Sequence, residues 1–167
     1  MNFPPQSVLA TYTHDAYFFD SFSRDVRYSN ESALDVYFML VQQTPSWVNR
    51  LMALRNHIVG YFGLKNLGKM ADIDFNKPHQ DYRVGDRLGI FTIYSISEKE
   101  IVLEDRDKHL DVKVSFYLEP DGDRAKVHAS TVVHVHNMLG KVYMLFVAPM
   151  HKIIVPSSMN QLPILLK

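Results

Sequence analysis

The sequence predicts an α+β domain in which a curved antiparallel sheet closes on a long C-terminal helix. Three observations carry this. From Leu88 to Asn137 the hydrophobic period is two, the links between those period-two runs are too short for anything but antiparallel neighbours, and a helical apolar run follows from Met138. A sheet buried on one face needs such a cover.

Element by element, Pro4 and Pro5 keep the first residues extended, so 1–12 reads as an N-terminal arm and 13–167 as a single domain. Residues 14–26, rich in aromatics and free of Gly and Pro, read as a strand that ends at the turn-forming Ser29 and Asn30. Asn30 then caps a first helix carrying Leu34, Tyr37, Phe38 and Val41, which stops before Thr44. Thr44 caps a second helix with Pro45 at its first position, and that helix runs to Phe62 with Gly63 as its left-handed stop. The polar stretch 64–87 reads as a functional loop or lid, or as the place of one short strand. Strands are expected over 88–97, 100–105, 109–118 and 124–137, with a tight hairpin loop at 119–123. The last helix, 138–155, is expected to bend at Pro149. On a helical wheel Leu139, Val142, Tyr143, Phe146, Val147, Met150, Ile153 and Ile154 fill one arc, which should face the sheet, with Lys141 and Lys152 opposite.

Composition narrows the function. A hydrophobic fraction of 47% over 167 residues builds one packed core and excludes disorder for most of the chain. Eighteen basic and eighteen acidic residues cancel, so nothing in the overall charge draws the chain to nucleic acid. Without cysteine there is no disulfide, thiolate nucleophile or cysteine-bound metal. The first residues lack a secretory pattern, so a cytoplasmic protein is expected. The longest apolar segment, 142–150, is far short of the roughly 20 residues of a spanning helix, so no membrane insertion is expected.

The segments PSWVNRLMALRN at 45–56, VGDRLGIF at 84–91, HLDVKVSF at 109–116 and TVVHVHNMLGKVYMLFVAPMHKIIV at 131–155 resemble a bacterial family known as domain of unknown function 2867. That family is similar to the START-like (SRPBCC, helix-grip) superfamily. The resemblance implies a helix-grip fold with an apolar ligand cavity between the sheet and the last helix. It names no substrate.

Arg55 is the main anomaly, because it lies within the stripe Trp47, Val48, Leu51, Leu54, Ile58, Val59 and Phe62. A cation aimed at a core must find a carboxylate, carbonyls or an anionic head group, so Arg55 is either an internal ion pair or a ligand anchor. Asp20 is its natural partner if Phe18 and Phe22 point inward, and is solvated if Phe19 does. Tyr143 would bring one hydroxyl into the apolar arc, where it either meets a backbone carbonyl or orients a ligand. Trp47 is open to the same two readings, and Phe146 and Met150 would line the cavity. On the outward sheet face, a loop centred on Asp121 and Gly122 sets His109 opposite His134, with His136 and Asp111 adjacent. Two of these histidines could share a zinc-like ion with Asp111 behind them, although outward His and Asp are ordinarily plain surface.

No nucleophile elbow, His-Glu-x-x-His, phosphate-cradling loop or dinucleotide fingerprint occurs, and no cofactor is expected. The leading expectation is binding of a small apolar or amphipathic molecule at Arg55, Tyr143, Asp20, Trp47, Phe146 and Met150. The alternatives are a cyclase, isomerase or dehydratase acting in the same cavity through Arg55, Tyr143 and Asp20, and a protein-interaction module, a homodimer among its forms.

Overall fold

The computed structural model describes residues 3–60 and 73–162, with the side chains of 58–60 outside that description. Its centre is one six-stranded antiparallel sheet in the order β1-β6-β5-β4-β3-β2. Strand β1 (Phe18–Arg27) pairs with β6 (Arg124–Val135) over its full length, and β6 pairs in turn with β5 (Leu110–Asp121). β4 (Glu100–Arg106), β3 (Phe91–Ile96) and β2 (Arg87–Leu88) complete the sheet. One strand, two helices, an antiparallel meander and a last helix make the expected helix-grip order.

The departures from expectation have local causes. β1 starts at Phe18, since Asp15 takes a left-handed φ of 62° and turns the chain ahead of it. The expected strand 88–97 is split, because Gly89 at φ 61° reverses the chain and sets Leu88 against Phe91. The β5–β6 link shrinks to Gly122 and Asp123, with positive φ at the glycine alone, as a two-residue turn that opens on Gly allows.

Helix α1 (Ala33–Gln42) is capped by Ser32, not by Asn30, which sits in the preceding turn at φ 67°. The Ser32 hydroxyl accepts the Asp35 N–H at 3.2 Å while the Asp35 carboxylate accepts the Ser32 N–H at 2.7 Å. α1 lays Leu34, Tyr37, Phe38 and Val41 on Leu88, Ile93, Ile101, Leu103 and Leu118, forming the main core. Burial pushes the Tyr37 hydroxyl above its ordinary range, and it donates to the Leu88 carbonyl at 3.3 Å.

Helix α2 (Ser46–Gly60) stays outside that core: Val48 is buried, Trp47 and Leu51 are half-buried, and Leu54 is exposed. Its expected end at Phe62 and Gly63, and residues 64–72 of the polar stretch, lie outside the described residues. From 73 to 87 the chain holds a short 3-10 turn, His79–Asp81, before β2 begins.

Helix α3 (Met138–Met159) runs unbroken through Pro149 and Pro156, one turn beyond the expected end. It is also rotated by roughly 130° from the expected phase. Gly140, Met144, Val147, Ala148, His151, Val155 and Met159 face the sheet, whereas Val142, Phe146, Met150 and Ile153 are exposed. The cause is steric at the helix start. A Cβ at Gly140 would run into the His109 carbonyl and come within 2.8 Å of Val135 Cγ1, so the glycine alone lets the helix approach the sheet on this side.

Residues 3–12 lie across the other sheet face and include a 3-10 helix, Val8–Tyr12, where no element was expected. Leu9 fills a cluster with Val102 and Val132, and the buried Glu100 accepts from Ser7 Oγ (2.5 Å), Ser115 Oγ (2.5 Å) and the Val8 N–H (2.8 Å). The centre of this face is therefore covered, not solvated as expected.

Candidate functional site

Strand parity decides what the sheet shows to α3. Phe19 points out and is half exposed, while Phe18, Asp20 and Phe22 point in. In register, Asp20 stands beside Thr131 and Thr131 beside Val114, so these three residues form one row across β1, β6 and β5. The sets expected to share a face do so, with Val112 opposite Val133 and Phe116 opposite Ala129.

This row divides the apolar layer beneath α3. On one side lies the main core, with Phe22, Ala129, Phe116 and, from α3, Val155 and Met159. On the other lies a smaller cluster of Phe18, Val133, Val112, Leu110, Met144 and Val147. His151 descends from α3 onto the row between them. Its Nδ1 lies 3.0 Å from Asp20 Oδ2 and its Nε2 3.1 Å from Thr131 Oγ1, with the Phe18 ring edge-on at 5.9 Å.

The electrostatics of this chain follow from burial. Asp20 is 0% exposed, and its Oδ1 is buried without a hydrogen-bond partner. A carboxylate taken out of water needs hydrogen-bond donors, and the one that faces Asp20 is His151 Nδ1. With Nδ1 donating, the Nε2 of the neutral ring is left as an acceptor, so the Thr131 hydroxyl donates to it. The His151 side chain remains 20% exposed, which gives the chain one end towards solvent. Such an arrangement can accept a hydroxyl, orient it and move a proton.

Of the residues singled out from sequence, Arg55 and Tyr143 come together but Asp20 does not join them. Arg55 Nε donates to the Tyr143 hydroxyl at 2.9 Å and its Nη1 to Asn56 Oδ1 at 2.9 Å, with the guanidinium 5.3 Å from the Tyr143 ring. This contact ties α2 to α3. The expected Arg55–Asp20 pair is absent, because His151 has taken the carboxylate. Phe146, at 72% exposure, and Met150 point away from the sheet for the rotational reason given above, and Trp47 is half-buried in the first turn of α2.

The outward histidines are arranged differently from the expected cluster. The hairpin register is shifted by two, so Asp111 faces His134 and His109 meets His136 through a backbone hydrogen bond at 2.9 Å. His136 Nε2 lies 3.3 Å from Asp111, and His109 Nδ1 turns to Asn137. Among the described residues no group of three His, Asp or Glu side chains could hold a metal.

His151 and Thr131 escaped the sequence reading. The signal was present in α3, where Met144, Ala148, His151, Val155 and Met159 recur at spacings of four and three. Among the described residues, open concavities elsewhere include one of about 350 Å³ at the β5–β6 hairpin tip and one of about 380 Å³ beside the start of α1, lined by Ser32, Asp35, His79 and Tyr82.

A family model described as "Protein of unknown function (DUF2867)" matches residues 12–158. No curated protein matches the chain. Among solved structures, the chain is similar to the Mll3558 protein of Rhizobium loti (13% identity, TM-score 0.42), with 86% of this chain and 94% of that one covered. It is similar also to a START superfamily protein of Mycobacterium smegmatis (12%, TM-score 0.36, 85% and 97% covered). A member of the major latex protein family from Arabidopsis thaliana follows (10%, TM-score 0.29, 85% and 95% covered).

Proposed function

The chain belongs to the family of proteins of unknown function DUF2867, and from that premise we propose that it binds a small, mainly apolar molecule carrying one hydroxyl, in the cytoplasm, between the sheet and α3. The observation that carries this reading is the Asp20–His151–Thr131 chain, set between two apolar clusters and ending in a carboxylate oxygen without a partner. Only Gly140, Met144 and Met159 of the described α3 residues are fully buried, so the helix can lift from this row at modest cost. Phe18, Phe22 and Val147 would then supply apolar contact, and the ligand's hydroxyl would donate a hydrogen bond to Asp20 Oδ1, or to His151 Nε2 in place of Thr131. Arg55 and Tyr143 act in this reading as the clasp between α2 and α3.

The test is a screen of phenols, sterols and hydroxylated fatty acids by thermal shift and native mass spectrometry. A binder should lose at least about tenfold in affinity with His151→Phe, the equivalent of one hydrogen bond of about 1.5 kcal/mol. Unchanged affinity in that variant refutes the site, and the lack of any binder refutes the function.

An acid–base enzyme of the isomerase or dehydratase kind is the second reading, favoured by the carboxylate that fixes the His151 tautomer. There His151 is the base and Asp20 its positioning residue. Asp20→Asn should then lower kcat on a discovered substrate more than it raises KM.

A further inference from the structure

The outward side of α3 is apolar along most of its length. Met138, Val142, Leu145, Phe146, Pro149 and Ile153 recur at the spacing of one helix face, with Leu145 69%, Phe146 72% and Ile153 58% exposed. From 138 to 153 the stripe extends about 22 Å. The opposite side of the same helix is the one seated on the sheet, so α3 has two apolar faces and the described residues cover one of them. An apolar stripe of this length on a protein surface marks an interaction site.

Charge indicates what covers it. The helix contains no Asp or Glu, and its Lys and Arg content is Lys141 and Lys152. These two are eleven residues apart, close to three full turns, so they stand on the same edge of the stripe. Were a second copy to pack its stripe against this one in the antiparallel sense, Lys141 of each copy would meet Lys152 of the other, with no carboxylate from α3 between them. A negatively charged lipid surface resolves both features at once. The boundary between head groups and acyl chains takes the apolar side chains, and the lipid phosphates take the lysines.

We propose that α3 docks the protein on an anionic membrane surface, lying in the plane of the interface with Leu145, Phe146 and Ile153 towards the lipid. By length and composition the helix could cross a bilayer. Crossing would strip the helix along its whole length from the main core as well as from the small cluster, whereas lying in the interface leaves its seat on the sheet intact.

The test is co-flotation of the full chain with vesicles of phosphatidylcholine alone, and with about one third phosphatidylglycerol added. Flotation is expected with the anionic vesicles, weakening as salt rises. Leu145→Glu with Phe146→Glu should abolish it without lowering the melting temperature, because both side chains stand outside the core. Lys141→Glu with Lys152→Glu should weaken it by roughly twentyfold or more, at about fivefold for each lysine. The proposal is overturned if folded protein ignores anionic vesicles, if neutral vesicles bind it equally well, or if the Leu145 and Phe146 variant floats like the parent. It is overturned too if that variant melts lower, which means the chain covers its own stripe, or if it disperses a dimer in solution, which means a second copy does.

Discussion

Asp20 shows how one residue divides stability from function. Its carboxylate is held by a single side chain, so Asp20→Asn, which keeps an oxygen acceptor but loses the charge, should destabilise the protein by about 1 kcal/mol in urea unfolding, the difference between a charged and a neutral hydrogen bond. Asp20→Leu combined with His151→Leu should recover most of that loss, since an apolar pair would join the two clusters that the row now separates. The double variant would be stable yet unable to bind; failure to recover stability would make the row a requirement of the fold. Sequence suspected Asp20 but could not orient it, because Phe18, Phe19 and Phe22 support both phases of the strand. Its partner was harder to see, as one histidine in an apolar helix carries no sign of what it touches until the strands are in register.

At the level of elements, two helix starts make opposite demands. At α3, Ala in place of Gly140 gains up to about 1 kcal/mol of helix propensity but drives a methyl into the His109 backbone, which costs about 1–3 kcal/mol. Overpacking wins, so Gly140→Ala should lower the melting temperature. At α1, burial alone would raise the Asp35 carboxyl, but hydrogen bonds from the Ser32 side chain and backbone and from His79 outweigh it and hold the group below its usual value. A depressed carboxylate stabilises the fold above its unfolded pKa of about 4 and loses that contribution as pH falls through its folded value. Asp35→Asn should therefore be less stable than the parent at neutral pH, with the gap closing in acid, as read by denaturation across pH. The Ser32-x-x-Asp35 spacing carries this cap in the sequence, yet the expectation falls on Asn30, two residues early, because Asn is itself a strong cap former. The phase of α3 was not legible in the sequence: a helix apolar nearly all round has no single stripe, so the most apolar arc misleads and a lone glycine decides.

For the whole molecule, the order of elements and the antiparallel sheet follow from the change of period at Leu88, while the cover on the outer face does not. Residues 3–12 look like a tail because their two prolines and short apolar side chains give no periodic signal, and the buried Glu100 that receives them lies some ninety residues away. Removing residues 1–12 should cost more than the about 1.5–3 kcal/mol of burying Leu9, because Glu100 would also lose the Ser7 and Val8 donors. Thermal unfolding of the shortened chain measures this.

The row beneath His151 also sets how the molecule opens. Pro149 and Pro156 cannot donate to the carbonyls four residues before them, so the backbone ladder of α3 is weakened on both sides of His151. One half of the helix rests on the small cluster and the other on the main core. Native-state hydrogen exchange should accordingly resolve two steps, with amides of residues 142–148 exchanging through a local opening and those of residues 153–159 only near global unfolding. The helix is then a flap attached to a post, and the polar row is the line along which it lifts.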